Sequence, residues 1–127
     1  MITLMCVYEW MNVGHLVNGY SSINITKLDV LSIFDEIKIG VSYSVDGKEL
    51  PFGYMPSTLH GLGEVTVNYE TVPGWKSDIS DCRTFEELPK EAQDYCNRVE
   101  ELLGIPVSWV GTGPGREQMA TKGFLAQ

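Results

Sequence analysis

Between Ile37 and Val45 the side chains alternate without a break, with Ile37, Ile39, Val41, Tyr43 and Val45 on one side and Lys38, Gly40, Ser42 and Ser44 on the other. Successive side chains of an extended chain point to opposite faces, so this is the pattern of a strand with one buried face and one wet face. Asp46 and Gly47 follow at once. Both tolerate positive φ, and the pair predicts a two-residue turn that returns the chain through KELPF as the second strand of a hairpin.

Other elements read off in the same way. YSSINIT, Tyr20 to Thr26, has the β-branched content and length of a buried strand ending where charge begins at Lys27. LDVLSIFDEI places Val30, Leu31, Ile33, Phe34 and Ile37 at helical spacing with Asp29 as the capping residue of a short helix. Val65, Val67 and Tyr69 predict another strand, closed by a Pro73-Gly74 turn before Trp75. The stretch from Gly53 to Gly63, rich in Gly and Pro and without period, reads as a surface connection. Thr84 and Glu87 stand at capping-box spacing, and Pro89 suits a first helical turn, so the main helix starts near one or the other. Its apolar stripe is Ala92, Tyr95, Cys96, Val99, Leu102 and Leu103, and Gly104 with Pro106 ends it. Val107 to Val110 follows as a short strand, and the last residues, ATKGFLAQ, are expected to fray.

A strand, a helix and a strand in that order favour a crossover onto a parallel pair, while the hairpin adds antiparallel pairing. The expected class is therefore α/β, with a mixed, partly parallel sheet, a β-hairpin and one main helix. At 127 residues the chain is of ordinary single-domain size. Its net charge of −8 repels phosphate backbones and anionic lipid, so neither nucleic acid nor a membrane is an expected partner. A nucleotide bound here would be held through its base by local geometry, against the overall field.

Cys6, Cys82 and Cys96 are odd in number and widely spaced, which suggests neither a disulfide framework nor a zinc site and fits a reducing cytosol. The opening MITLMCVYEWM is short, carries Glu9 and lacks a basic leader, making a poor signal peptide. The Asn24-Ile25-Thr26 sequon sits in a strand pattern and is read as unmodified. No Gly-rich loop ending in Gly-Lys-Ser/Thr is present, His15 and His60 are isolated, and the acid pairs Glu86-Glu87 and Glu100-Glu101 read as a solvated helix face.

Lys27, Leu28 and Asp29 stand where the YSSINIT strand ends, the edge at which open α/β sheets bind ligands. If Lys27 and Asp29 project to one side, as residues two apart on a strand do, the lysine stem can lie along a planar base while the carboxylate meets its edge. Guanine offers N1–H and the exocyclic amine as adjacent donors, and an ionised Asp accepts from both. Gly111, Thr112 and Gly113 follow the last strand and open on the same edge. Their glycines either let backbone N–H groups approach a flat ligand or make an ordinary αL turn.

The runs LVNGYSSINITKLDVL, EIKIGVSYSVDGKELP, VNYETVPGWKSDIS, LPKEAQDYCNRVEELLGIPV and WVGTGPGREQM together resemble, in order, the carboxyl-terminal part of adenylosuccinate synthetases. The resemblance spans residues 15–119, with a divergent segment at 1–14 and a divergent tail at 120–127. It implies a portion of a larger, P-loop-like GTP-binding fold. It also implies the activity of a cytoplasmic ligase of purine and AMP biosynthesis, which uses GTP and Mg2+ to join IMP to L-aspartate and which works as a homodimer. By resemblance Lys27, Leu28 and Asp29 match the guanine-specificity segment and Gly111, Thr112 and Gly113 the loop on the other side of the base; many bacterial members carry Ser at position 111. The resemblance places the family's catalytic residues, Mg2+ ligands and IMP pocket upstream of the matched region, so no catalytic or metal residue is assigned in this chain, and alone it is expected to be inactive. The alternative is a non-catalytic GTP-binding or interaction module.

Overall fold

The structure, a computed structural model, describes residues 3–4, 17–51 and 65–123. Cys6, His15, His60 and the whole connection expected from Gly53 to Gly63 lie outside the described residues. The strands are β1 (Thr3–Leu4), β2 (Ile23–Ile25), β3 (Glu36–Val45), β4 (Lys48–Glu49), β5 (Thr66–Pro73), β6 (Val107–Gly111) and β7 (Met119–Thr121). Among the described residues these strands are accompanied by a 3-10 helix (Leu28–Ile33), a 3-10 turn (Phe85–Glu87) and the helix α1 (Lys90–Leu103).

The pairing is mixed and partly parallel, and it is divided between two sheets. In the first, β3 is central, parallel to β1 and antiparallel to β4 and β5. In the second, β6 is central, parallel to β2 and antiparallel to β7. The turn between β3 and β4 has positive φ at both Asp46 (51°) and Gly47 (76°), the backbone that a two-residue hairpin demands. The returning strand, however, is only Lys48–Glu49, shorter than KELPF.

Helix α1 joins the two sheets. Ala92, Tyr95, Cys96, Val99 and Leu103 recur at helical spacing and are all buried. Pro89 stands at its N-cap position, and Gly104, in the left-handed region at φ 64°, closes its carboxyl end by donating its N–H to the Glu100 carbonyl at 2.9 Å. On the β5 side, Arg98 forks onto Glu70, with Nε 2.9 Å from Oε1 and an Nη 2.8 Å from Oε2. On the β6 side, the Glu100 carboxylate accepts from the Val107 N–H and from Lys122 Nζ. Glu100 thus clamps helix to sheet rather than belonging to a solvated face, and Glu87 also has a task, accepting from the N–H groups of Arg83 and Thr84 ahead of the 3-10 turn.

Four further expectations are corrected. The strand YSSINIT contracts to Ile23–Ile25. The short helix is a 3-10 helix ending at Ile33, and Ile37 is already in β3. Its N-cap is Lys27 without a side-chain bond, while Asp29 sits inside the first turn. Ala120 and Thr121 do not fray: they pair with Val110 and Trp109 in β7, Ala120 is fully buried, and the Thr121 N–H donates to the Arg83 carbonyl. Their stability comes from a neighbouring strand, which a period within eight residues cannot show.

Candidate functional site

Two stretches from opposite ends of the sequence meet where β2 and β6 end. The parallel register sets Ile25 beside Val110, so Thr26 and Lys27 leave the sheet next to Gly111. A Cβ on Gly111 would lie 3.3 Å from Thr26 Cα and 3.4 Å from Lys27 N. Main chain therefore packs on main chain, and glycine at 111 permits that approach without needing positive φ.

Lys27 takes the left-handed conformation, φ 59° and ψ 35°. A non-glycine residue there carries strain of about 1–3 kcal/mol, which persists only where the surroundings impose it and which recurs at ligand sites. The bend does two things. It sends Leu28 into the core, fully buried, and it leaves Lys27 exposed with Asp29 half-buried on the first turn of the 3-10 helix. The two residues do not share a strand face, because β2 has ended at Ile25. The turn, and not strand alternation, brings Lys27 and Asp29 to the sheet edge, and any contact made by Leu28 would come from its main chain.

The 3-10 helix is pinned from below. Trp75, 5% exposed, donates from Nε1 to Ser32 Oγ at 2.9 Å and stacks obliquely on Tyr95 of α1. Gly74 donates its N–H to the Asp35 carbonyl at 2.8 Å.

On the other side, Thr112 is turned inward. It is fully buried, its hydroxyl donates to the Cys82 carbonyl at 3.2 Å and its N–H donates to the Gln118 carbonyl at 2.9 Å. Its side chain holds the loop to the segment 80–82 and is not offered to a ligand. Gly113 and Gly115 are half-buried, and neither has positive φ, so the αL reading of this loop does not hold. Gln118, which sequence reasoning passed over, lies beneath both. Among the described residues no group of three or more His, Cys, Asp or Glu is placed to hold a metal ion, and no helix is long and apolar enough to cross a membrane. A cavity of about 420 Å³ beside Ile33, Phe34, Asp35 and Glu36 lies at the far end of the 3-10 helix from Lys27.

The profile of the family described as adenylosuccinate synthetase matches residues 8–120. The chain belongs to the adenylosuccinate synthetase family. Among its relatives, the adenylosuccinate synthetase of Paramecium tetraurelia is 58% identical over 106 residues, covering 84% of this chain and 24% of that protein. That of Komagataella phaffii is 53% identical over 107 residues, again 84% of this chain and 24% of that protein. A solved structure titled as fully ligated adenylosuccinate synthetase from Plasmodium falciparum superposes with a TM-score of 0.88 at 36% identity, covering 91% of this chain and 28% of that one. The chain thus spans about a quarter of the length of the synthetases it matches.

Proposed function

We propose that this chain is the guanine-reading portion of an adenylosuccinate synthetase, the ligase that joins IMP to L-aspartate at the expense of GTP. The observation that carries the reading is the meeting of Thr26-Lys27 with Gly111 at the end of the parallel pair β2 and β6, which brings both candidate segments to one edge. On this reading the Asp29 carboxylate accepts from guanine N1–H and from the exocyclic amine, and the Lys27 stem lies along the base. Adenine has neither donor in that arrangement and is rejected. Gly111 and Gly113 contribute main chain on the other side of the base. Thr112 and Leu28 act through the backbone positions that their buried side chains fix.

The triphosphate, Mg2+, IMP and aspartate belong, on the same reading, to the remainder of a cytoplasmic, homodimeric synthetase. The 127 residues alone carry no turnover. Bound Mg2+ would neutralise charge on the transferring phosphoryl group. This chain's own part is to select and orient the base.

The test is Asp29→Asn in the synthetase that contains this sequence, with kcat/KM measured for GTP and XTP. The amide leaves one oxygen to accept from guanine and turns a donor toward the guanine amine, so GTP use falls by about 5- to 150-fold, the range for a mispaired polar group at a desolvated site. Xanthine carries an oxygen where guanine carries the amine, so the XTP to GTP ratio rises. An unchanged ratio in a folded variant refutes the assignment.

A further inference from the structure

Four contacts converge on Gln118. Its Oε1 accepts from the Gly115 N–H at 2.7 Å. Its N–H donates to the Gly115 carbonyl at 3.0 Å, and its carbonyl accepts from the Thr112 N–H at 2.9 Å. Its Nε2 donates toward the Ser80 carbonyl at 3.5 Å. The main chain of Gln118 thus closes the loop onto Thr112 and Gly115, and its side chain holds the Gly115 N–H and reaches toward the segment 80–82 that also receives the Thr112 hydroxyl.

The same side chain explains the glycines. A Cβ on Gly113 would stand 2.5 Å from Gln118 Cδ, 2.6 Å from Oε1 and 2.7 Å from Nε2. A Cβ on Gly115 would stand 2.7 Å from Glu117 Oε1 and 2.9 Å from Gln118 Oε1. Neither glycine has positive φ, so conformational freedom is not what either position requires. What Gly113 requires is room for the amide of Gln118, folded under the loop, and Gly115 requires room for the Glu117 carboxylate as well as for that amide. The obstacle is the far end of a flexible side chain, so a methyl group at 113 would displace Gln118 rather than break the sheet.

We infer that Gln118 is a positioning residue for base recognition: its side chain fixes the path of the Gly113–Gly115 backbone against the edge where Lys27 and Asp29 stand. The inference rests on the proposed guanine site. A loop held in the geometry it needs when occupied spares the ordering cost on binding, and a released loop imposes that cost on every GTP bound. Gln118 touches no reacting atom, so its loss acts on GTP affinity and leaves the chemical step alone.

The test uses the synthetase that contains this sequence, with Gln118→Met, which keeps length and loses the polar end, and Gln118→Glu, which keeps the acceptor for Gly115. Amide NMR of the 127-residue chain reads the latch itself: in Gln118→Met the Gly115 amide proton moves upfield and exchanges faster, while in Gln118→Glu it stays near wild type. Steady-state kinetics read the consequence. In Gln118→Met the KM for GTP rises about 3- to 10-fold, the range of one net hydrogen bond, with kcat and the KM for IMP unchanged, and Gln118→Glu, which keeps the 2.7 Å acceptor for Gly115 and loses the 3.5 Å donor toward Ser80, recovers most of it. Gly113→Ala, which evicts the same side chain, reproduces the rise and adds nothing to Gln118→Met. A released Gly115 amide with an unchanged KM for GTP overturns the inference, as does a proportional fall in kcat. If Gln118→Met does not fold, a KM for GTP in Gln118→Glu as high as that in Gly113→Ala overturns it. Failure of the guanine site itself would show separately, as an unchanged XTP to GTP ratio in Asp29→Asn.

Discussion

Replacing Gly74 by Ala tests whether the platform beneath Asp29 is held as the structure shows. An added Cβ would lie 1.9 Å from the Phe34 carbonyl oxygen, 2.9 Å from the Phe34 carbonyl carbon and 3.1 Å from the Asp35 carbonyl carbon. All three are backbone atoms, so no rotamer change relieves the overlap. Carbon and oxygen in contact need well over 3 Å, on the order of the usual van der Waals separation, so the main chain at Phe34-Asp35 has to move by more than 1 Å or so. That movement breaks the 2.8 Å bond from the Gly74 N–H to the Asp35 carbonyl and opens the adjoining end of the ladder, where Glu36 pairs with Pro73. The lost hydrogen bond costs about 0.5–1.5 kcal/mol and the overpacking about 1–3 kcal/mol. Against this, Ala narrows the unfolded ensemble, worth about 0.4–1 kcal/mol in the other direction. The clash wins, and the net loss is about 1–3 kcal/mol. Urea unfolding followed by circular dichroism measures it, and amide NMR should show shifts along Leu28–Ile33, because Trp75 and its bond to Ser32 move with residue 74. A loss below about 0.5 kcal/mol with unmoved 3-10 amides would refute the packing argument.

Two other outcomes follow from the titratable groups. Burial acts to raise the Glu100 pKa, but donation from Lys122 Nζ and the Val107 N–H outweighs it and holds the carboxyl below its ordinary 4.5. A depressed carboxylate contributes stability above its unfolded pKa and loses it as pH falls through the folded one. With the Glu100 side chain 33% exposed, solvent weakens the pair, so Glu100→Gln should cost about 1 kcal/mol at neutral pH. The difference from wild type should shrink below the ordinary carboxylate range, and equal losses at acid and neutral pH would contradict the clamp. Burial pushes the fully buried Cys96 thiol up to about 12, while the partly exposed Cys82 thiol is raised by burial and by nearby Glu87. Brief alkylation of the folded chain at mildly alkaline pH, mapped by mass spectrometry, should modify Cys82 slowly and spare Cys96 until urea is added. Modification of Cys96 at its unfolded rate would show that the core around α1 is open.

Helix α1, the Asp46-Gly47 turn and the long strand β3 were legible in the amino-acid sequence, because each is written within a few consecutive residues. An apolar stripe at helical spacing with Gly104 behind it fixes α1, and strict alternation followed by two residues that tolerate positive φ fixes β3 and its turn. The order strand, helix, strand pointed to parallel pairing as such, but the parallel pairs that form, β1 with β3 and β2 with β6, are not consecutive strand-helix-strand units, and the strands on either side of α1 lie in different sheets. The family motifs also lie in the sequence, and by themselves they point to Lys27 to Asp29 and Gly111 to Gly113. What the sequence could not hold is which residues meet. The division into two sheets, the contraction of β2, the left-handed Lys27 and the burial of Thr112 depend on partners distant along the chain. Gln118 and Glu100 carry no local signal, since a glutamine in a loop or a glutamate on a helix looks solvated until a Gly115 amide or a Lys122 ammonium is brought beside it. The glycines show the distinction most directly. The sequence says where a side chain is missing, but only the fold says what occupies its place: the Phe34 carbonyl at Gly74, the Thr26-Lys27 backbone at Gly111 and the amide of Gln118 at Gly113. Local pattern is set by the backbone's own periodicity, whereas close approach is set by whatever surface the rest of the chain packs against it.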